Sequence, residues 1–144
     1  MTNHSLSASV THLELGQWGE GLATNYLKQN GYQIIARNVT LPLGRTPEGT
    51  SITGELDIVA LDGQTLVFVE VKTRSSDKLA LPEAAVTPAK QRKLARTARR
   101  YRRLIGPVDL PYRFDVVSIV ASGHSQPQIR LLKDFFQDLV KNQS

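Results

Sequence analysis

The stretch from Gly54 to Thr73, GELDIVALDGQTLVFVEVKT, contains two strand-like runs that meet at Asp62-Gly63. Asp-Gly between apolar runs is the strongest short-range signal for a tight β-hairpin turn. The second run is apolar at both alternating positions until Glu70 interrupts it. A strand with this pattern is expected to be covered on both faces of a sheet. The stretch therefore predicts a hairpin in the centre of the fold.

Three charged residues of this hairpin are expected to share one face. A two-residue turn at Asp62-Gly63 sets Asp57 opposite Phe68, which makes Asp57 a diagonal neighbour of Glu70, with Lys72 beyond it. A slip of one residue would send Asp57 to the other face. Two close carboxylates need a compensating cation, either Lys72 or a divalent metal. The alternative is a surface ion pair of Glu70 and Lys72, with Asp57 capping a turn.

Magnesium or manganese is the metal that such oxygen ligands favour. The chain has no cysteine, which excludes a thiolate zinc site, a disulfide scaffold and a cysteine nucleophile. It also fits a reducing, cytoplasmic compartment. The three histidines, His4, His12 and His124, have no metal-ligand spacing, and each is expected at the surface or in a tail.

Local signals predict helices and strands around the hairpin. The predicted elements are a helix from Thr11 to Asn30 closed by Gly31, a strand Tyr32 to Val39, a mobile loop Leu41 to Thr53, a helix capped by Thr87-Pro88, a strand Tyr112 to Ala121, a short strand Gln128 to Leu132 and a terminal helix Asp134 to Asn142. The strands on either side of the second helix are expected to be parallel and joined by a right-handed crossover. The sequence thus predicts an α/β fold, a mixed β-sheet flanked by helices in the order αβββαβ, then a short strand and a helix.

The composition indicates an ordinary globular chain, with 144 residues, 40% hydrophobic and 22% charged. Residues 11–144 are expected to form one domain, and the polar residues 1–10 a disordered tail. No run approaches the roughly 18 apolar residues that a membrane helix needs, so no membrane partner is expected.

Positive charge is concentrated in the second predicted helix. The net charge is +5, and eight of the 18 basic residues lie between Lys90 and Arg103 with no acid among them. The core-facing positions are expected to be Leu94, Ala98, Tyr101 and Ile105, with Arg92, Arg96, Arg99 and Arg103 on the opposite side. Solvated helices usually alternate charge signs, so this pattern favours a phosphate backbone as partner.

The first predicted helix carries an unusual acid. Glu20 lies on a face with Gly16, Ala23 and Leu27, and it is therefore expected to point inward, which is costly for an unpartnered carboxylate. A separate apolar stripe contains Leu15, Trp18, Leu22 and Tyr26. That stripe is a candidate docking or homodimer face.

The motifs Gly54-Glu55-Leu56-Asp57 and Glu70-Val71-Lys72 resemble the PD-(D/E)xK signature of restriction-endonuclease-like nucleases and archaeal-type Holliday junction resolvases. The chain from about Gly16 to Val120 resembles the YraN family of bacterial proteins, which is assigned to that nuclease-like fold. Further matching segments are Gly19-Glu20, Arg37-Asn38, Glu83-Ala84-Ala85-Val86, Lys90-Gln91-Arg92 and Arg113-Phe114-Asp115-Val116-Val117.

The resemblance implies a restriction-endonuclease-like core and a role for each matching residue. Asp57, Glu70 and the main-chain carbonyl of Val71 would hold the metal, with Glu20 as the first-helix acid of the site. Lys72 would orient the attacking water or offset charge at the phosphate, and Gln91 or Lys90 would contact the scissile phosphate. Nucleic-acid contacts are expected from Lys90, Arg92, Lys93, Arg96, Arg99, Arg100, Arg103 and Arg74. Asp115 fits a site role or a structural role equally well.

These expectations indicate a cytoplasmic, magnesium-dependent nuclease that hydrolyses phosphodiester bonds in DNA, with branched structures as candidate substrates. Two alternatives stay open, because a fold does not by itself specify a reaction. One is a nucleic-acid-binding or assembly module that keeps the nuclease-like fold without turnover. The other is a protein-interaction adaptor that uses Leu15, Trp18 and Tyr26.

Overall fold

The computed structural model describes residues 11–76, 80–106, 109–123 and 125–142. The elements are α1 (His12–Gln29), β1 (Gln33–Arg45), β2 (Ser51–Asp62), β3 (Thr65–Ser75), α2 (Pro88–Leu104), β4 (Tyr112–Ala121) and β5 (Gln128–Phe136), with short 3-10 helices at Pro82–Ala85 and Leu139–Asn142. The predicted tail, residues 1–10, lies outside the described residues, as does His124. Within the described ranges, neither α-helix has the length and apolar character to cross a membrane.

The five strands form one mixed sheet in the order β1-β2-β3-β4-β5. The first three strands and the β4–β5 pair are antiparallel, whereas β3 and β4 are parallel. Parallel neighbours need a crossover connection, and α2 lies in it. The α/β class, the mixed sheet and the parallel pair are confirmed.

The two helices cover opposite faces of the sheet. Ala23 and Leu27 of α1 belong to one buried cluster with Val69 of β3. Leu94 of α2 belongs to the other cluster, together with Phe68 of β3. Because successive side chains of a strand point to opposite faces, β3 is buried on both, as its apolar pattern predicts.

The predicted cap at Thr87 is confirmed, and Thr11 caps the first helix in the same way. The Thr11 side chain accepts from Glu14 N at 3.1 Å, and the Thr87 side chain accepts from Lys90 N at 3.3 Å. Gly31 follows α1 with a φ of +85°, a conformation that suits glycine. The core position predicted for Ile105 is wrong, because α2 ends at Leu104 and Ile105 is 45% exposed.

The predicted loop from Leu41 to Thr53 is wrong, because strands fill most of it. β1 continues to Arg45, which pairs with Ser51 of β2. Pro42 is tolerated since β1 is an edge strand of the sheet, and a register shift follows between Pro42 and Gly44. The result is a long β1–β2 hairpin that extends beyond β3.

The predicted terminal helix from Asp134 to Asn142 is also wrong. β5 runs to Phe136 instead of ending at Leu132. Phe136 is buried and stacks on Phe114, with 4.5 Å between ring centroids. This packing across the sheet outweighs the local helix preference, and a short 3-10 helix follows.

Candidate functional site

The hairpin of β2 and β3 turns one residue later than predicted. The strands pair from Asp62↔Thr65 to Ile58↔Val69, so the turn is Gly63-Gln64 and Gly63 has a φ of +60°. The predicted pairing is therefore wrong by two residues. Because side chains alternate with a period of two, a two-residue error keeps the paired residues, Ile58 to Asp62, on their predicted faces.

The alternation of β2 is interrupted just before the site. Leu56 and Val59 are three residues apart, yet both side chains lie in the cluster beneath α2. Their β1 partners Val39 and Ala36 pack against the same cluster. Asn38, between those partners, has a φ of +53°, which is uncommon outside glycine. The two strands thus bend together at this position.

Asp57 lies at the bend, where β2 and β3 separate. The last paired residues of the two strands are Ile58 and Val69. Farther along β3, the Val71 amide donates to Asp57 Oδ2 at 2.9 Å instead of to a main-chain carbonyl. The N–H and C=O of one strand residue point to the same side, so the Val71 carbonyl also faces Asp57.

Glu70 is the buried acid of the site, with only 5% of its side chain exposed. Burial and the neighbouring Asp57 carboxylate raise the pKa of Glu70 to about 8, against the smaller opposing effects of Lys90 and Lys72. Glu70 Oε2 is buried and accepts no hydrogen bond. Lys90 Nζ lies 3.3 Å and Lys72 Nζ 3.8 Å from it.

Glu20 approaches the same place from α1, as its inward orientation predicts. Burial raises the pKa of Glu20, and the Asp57 carboxylate raises it further. With its amide nitrogen toward the acid, Asn38 donates to Glu20 Oε2 at 3.0 Å and Oε1 at 3.2 Å. Sequence reasoning did not single out Asn38 for the site. The one available signal was its place in the Arg37-Asn38 segment of the resemblance.

The donors at the bend fit a hard divalent cation. Asp57 and Glu70 supply carboxylate oxygens and Val71 a carbonyl oxygen, and Glu70 Oε2 is an unsatisfied buried acceptor. Across the described ranges, no three His, Cys, Asp or Glu side chains are arranged to hold a metal ion. A metal at Asp57 and Glu70 would therefore keep several ligand positions for water or substrate oxygens, as Mg²⁺ usually does.

Two residues at the start of α2 were predicted to contact a phosphate. Lys90 does reach the acids, through its 3.3 Å contact with Glu70. Gln91 is held differently, since its Nε2 donates to the Val86 carbonyl at 3.0 Å. This bond ties Gln91 to the turn before the helix, and its phosphate contact stays a prediction.

The predicted basic face of α2 is mostly exposed, except for Arg99. The exposed members are Arg92, Lys93, Arg96, Arg100 and Arg103. Arg99 does not lie on that free face, because its NH1 donates to the buried Asp138 at 2.7 Å. Arg74 of β3 is half-buried, and its Nε has no hydrogen-bond partner.

Asp115 has a structural environment. Its side chain is fully buried and accepts from Tyr32 Oη at 2.8 Å, Arg113 Nε at 2.9 Å and the Asp134 amide at 2.9 Å. These bonds join three parts of the fold: the turn between α1 and β1, strand β4 and strand β5. Of the two roles left open for Asp115, the contacts favour the structural one.

The apolar stripe of α1 is partly used by the fold. Trp18 and Leu22 pack against the core beneath α1. Leu15 and Tyr26 are half-buried as well. The stripe therefore offers less free surface than the helical pattern alone predicts.

Comparison with known proteins shows to which family the chain belongs. The family model described as "Uncharacterised protein family UPF0102" matches residues 19–119. A UPF0102 protein of Geotalea uraniireducens is 42% identical over 123 residues, 85% of this chain and 89% of the relative. A UPF0102 protein of Symbiobacterium thermophilum is 42% identical over 122 residues, which cover 85% of this chain and 95% of the relative. A UPF0102 protein of Chlorobium chlorochromatii is 44% identical over 118 residues, which cover 82% of this chain and 81% of the relative. The chain belongs to the UPF0102 family, the YraN family that its motifs resemble.

Proposed function

We propose that the protein is a metal-dependent nuclease that hydrolyses phosphodiester bonds in DNA, including branched DNA, in the cytoplasm. The observation that supports this most is the pair of acids at the β2–β3 separation, with two lysines beside the buried one. Mg²⁺ or Mn²⁺ would be held by Asp57, Glu70 and the Val71 carbonyl. Such a donor set, next to ammonium groups, suits a cation and a phosphate bound together.

Each surrounding side chain has a part in this proposal. When bound, the metal polarises the phosphate and lowers the pKa of a bound water. Lys72 and Lys90 offset negative charge that develops at the phosphate. Glu20 adjoins Asp57 and has a raised pKa, which suits a group that exchanges a proton with water.

The exposed cations of α2 supply attraction for the nucleic-acid backbone. Five of them are exposed, although Arg96 also donates to the Leu43 carbonyl. Lys90 at the start of the helix reaches Glu70. Contacts between such side chains and phosphates are sequence-independent and weaken as salt rises. The helix therefore draws the backbone toward the acids without selecting a base sequence.

A cleavage assay with matched variants tests the proposal. Wild type should cut supercoiled and branched DNA with Mg²⁺ or Mn²⁺ and stop in a chelator. Asp57→Asn and Glu70→Gln should lose cleavage, whereas Glu14→Gln, the same chemical change at an exposed position of α1, should keep it. Equal cleavage by wild type and both site variants, after removal of contaminating nucleases, would refute the proposal.

A second candidate is a nucleic-acid-binding or assembly module without turnover. It is favoured by the two lysines beside Glu70, because ammonium groups at 3.3 Å and 3.8 Å can offset a carboxylate charge without a metal. Such a module would bind DNA with the same salt-dependent affinity in chelator and in Mg²⁺, and would never cut it. Cleavage that requires Mg²⁺ and Glu70 excludes this candidate.

A further inference from the structure

A groove of about 220 Å³ lies between α2 and the long β1–β2 hairpin. Its lining residues are Thr53, Glu55, Lys90, Lys93, Leu94 and Thr97. The family resemblance gives nucleic-acid contacts to Lys90 and Lys93 individually, but it gives no role to the groove that they form with β2.

The walls of the groove are fixed by contacts between the hairpin and the helix. Arg96 NH2 donates to the Leu43 carbonyl of β1 at 2.6 Å. Gly54 of β2 lies so close to Thr97 of α2 that a Cβ on the glycine would overlap the threonine side chain. The hairpin is thus held against α2, and the groove exists before any ligand arrives.

The groove adjoins the acid pair through Lys90. Lys90 lines it and also lies 3.3 Å from Glu70 Oε2. Glu55 lines it from β2, two residues before Asp57. A nucleic-acid strand with a phosphate at Glu70 and Asp57 would therefore have its next nucleotide at the groove.

The lining chemistry matches a sugar-phosphate backbone. Lys90 and Lys93 present ammonium groups for phosphate oxygens, while Thr53 and Glu55 can accept hydrogen bonds from amino groups of a base. None of the six lining residues is aromatic, so base stacking is not the means of recognition. At about 220 Å³ the groove is too small for a base-paired duplex to enter, so a nucleotide that occupies it must come from a single strand.

We propose that the groove binds the first unpaired nucleotide of a single-stranded flank beside the cleaved bond, so that the protein prefers flapped or forked DNA to continuous duplex. The inference rests on the proposed function for the position of the cleaved bond. Binding of the flank itself needs neither metal nor turnover.

Fluorescence anisotropy in chelator tests the groove separately from catalysis. The probes are a blunt duplex and the same duplex with a single-stranded flank of about five nucleotides. Wild type should bind the flanked probe roughly fivefold or more tightly, a difference of about 1 kcal/mol. Thr53→Trp, which fills the groove from an exposed strand position, should reduce this ratio to about 1.

Ser51→Trp is the matched control, because Ser51 is exposed on the same strand and does not line the groove. It should keep the wild-type preference. A wild type without preference, or a Thr53→Trp variant that retains it, would overturn the inference. If the protein cleaves DNA but shows no preference for the flanked probe, only the proposed role of the groove is contradicted. If it prefers the flanked probe but does not cleave DNA, only the proposed nuclease activity is contradicted.

Discussion

Asp57 Oδ2 accepts a hydrogen bond from the Val71 amide at 2.9 Å, beyond the last paired residues of β2 and β3. The carboxylate thereby satisfies an amide that would otherwise lack a strand partner. Glu70 and Lys72 are the neighbours of Val71 on β3. Their side chains therefore lie next to the gap between the separated strands. The site is therefore created by a local interruption of the sheet.

Two replacements of Asp57 should differ in stability although both abolish cleavage. Asp57→Ala leaves the Val71 amide without its acceptor and should lower the free energy of unfolding by about 1–3 kcal/mol. Asp57→Asn keeps an acceptor oxygen and should cost less, although both variants lose metal-dependent cleavage. Urea denaturation measures the difference, and equal stability of the two variants would show that the hydrogen bond contributes nothing.

The raised pKa of Glu70 makes stability depend on pH. The pKa rises from 4.5 to about 8 in the folded protein, chiefly through burial and then through Asp57. Between these values the folded state holds a proton that the unfolded state has released, so wild-type stability falls as pH rises through this range. Glu70→Gln does not titrate, and its stability relative to wild type should increase from pH 5 to pH 8.

Asp62→Asn is the control for that experiment. A hydrogen bond from Arg113 is the main cause that lowers the pKa of Asp62 below 3.8. Its contribution to stability is present above that value and is lost only as pH falls through the folded pKa. The cost of Asp62→Asn should therefore be constant between pH 5 and pH 8. A Glu70→Gln curve parallel to the wild-type curve would contradict the burial of a titrating acid.

Two glycines of α1 should respond to alanine in opposite directions. A Cβ on Gly19 would overlap the Thr73 side chain of β3, whereas nothing lies within 4 Å of a Cβ on Gly16. Gly19→Ala should destabilise the protein by about 1–3 kcal/mol through overpacking. Gly16→Ala should stabilise it by about 0.5–1 kcal/mol, because alanine favours helices. Thermal unfolding checks both, and equal effects would argue against the close approach of α1 to β3.

Adjacent arginines of α2 should have different functions. Arg100 is exposed, so Arg100→Ala should weaken DNA binding and lower the slope of log affinity against log salt by about 1. Arg99 is paired with the buried Asp138, so Arg99→Ala should instead destabilise the fold by about 3–5 kcal/mol. Salt titrations of binding and denaturation curves separate the two. If wild type and Arg100→Ala have the same slope of log affinity against log salt, Arg100 does not contact the nucleic acid.

Strong local signals made much of the fold predictable. The threonine caps, the apolar stripe of α2 and the two-sided burial of β3 all follow from nearby residues. The proximity of Asp57 and Glu70 survived an incorrect register because the error was an even number of residues. Glycine at position 63 suits either turn, so packing of the strands had to decide between them.

Long-range packing explains what sequence reasoning missed. Pro42 is compatible with a strand only because β1 is at the sheet edge, and Phe136 extends β5 because it stacks on Phe114. Neither fact is visible in the local pattern. The contact between Glu20 and Asn38 likewise depends on how α1 lies against the bend in β1.

Anomalous diffraction from crystals soaked in Mn²⁺ at about pH 8 measures the metal site most directly, since Glu70 must lose its proton to bind. Wild-type crystals should show one strong peak, about 2.1 Å from a carboxylate oxygen of Asp57 and of Glu70, and the Glu70→Gln crystals none. A saturating soak that leaves this position empty, with Lys90 still beside Glu70, would contradict a metal-dependent nuclease.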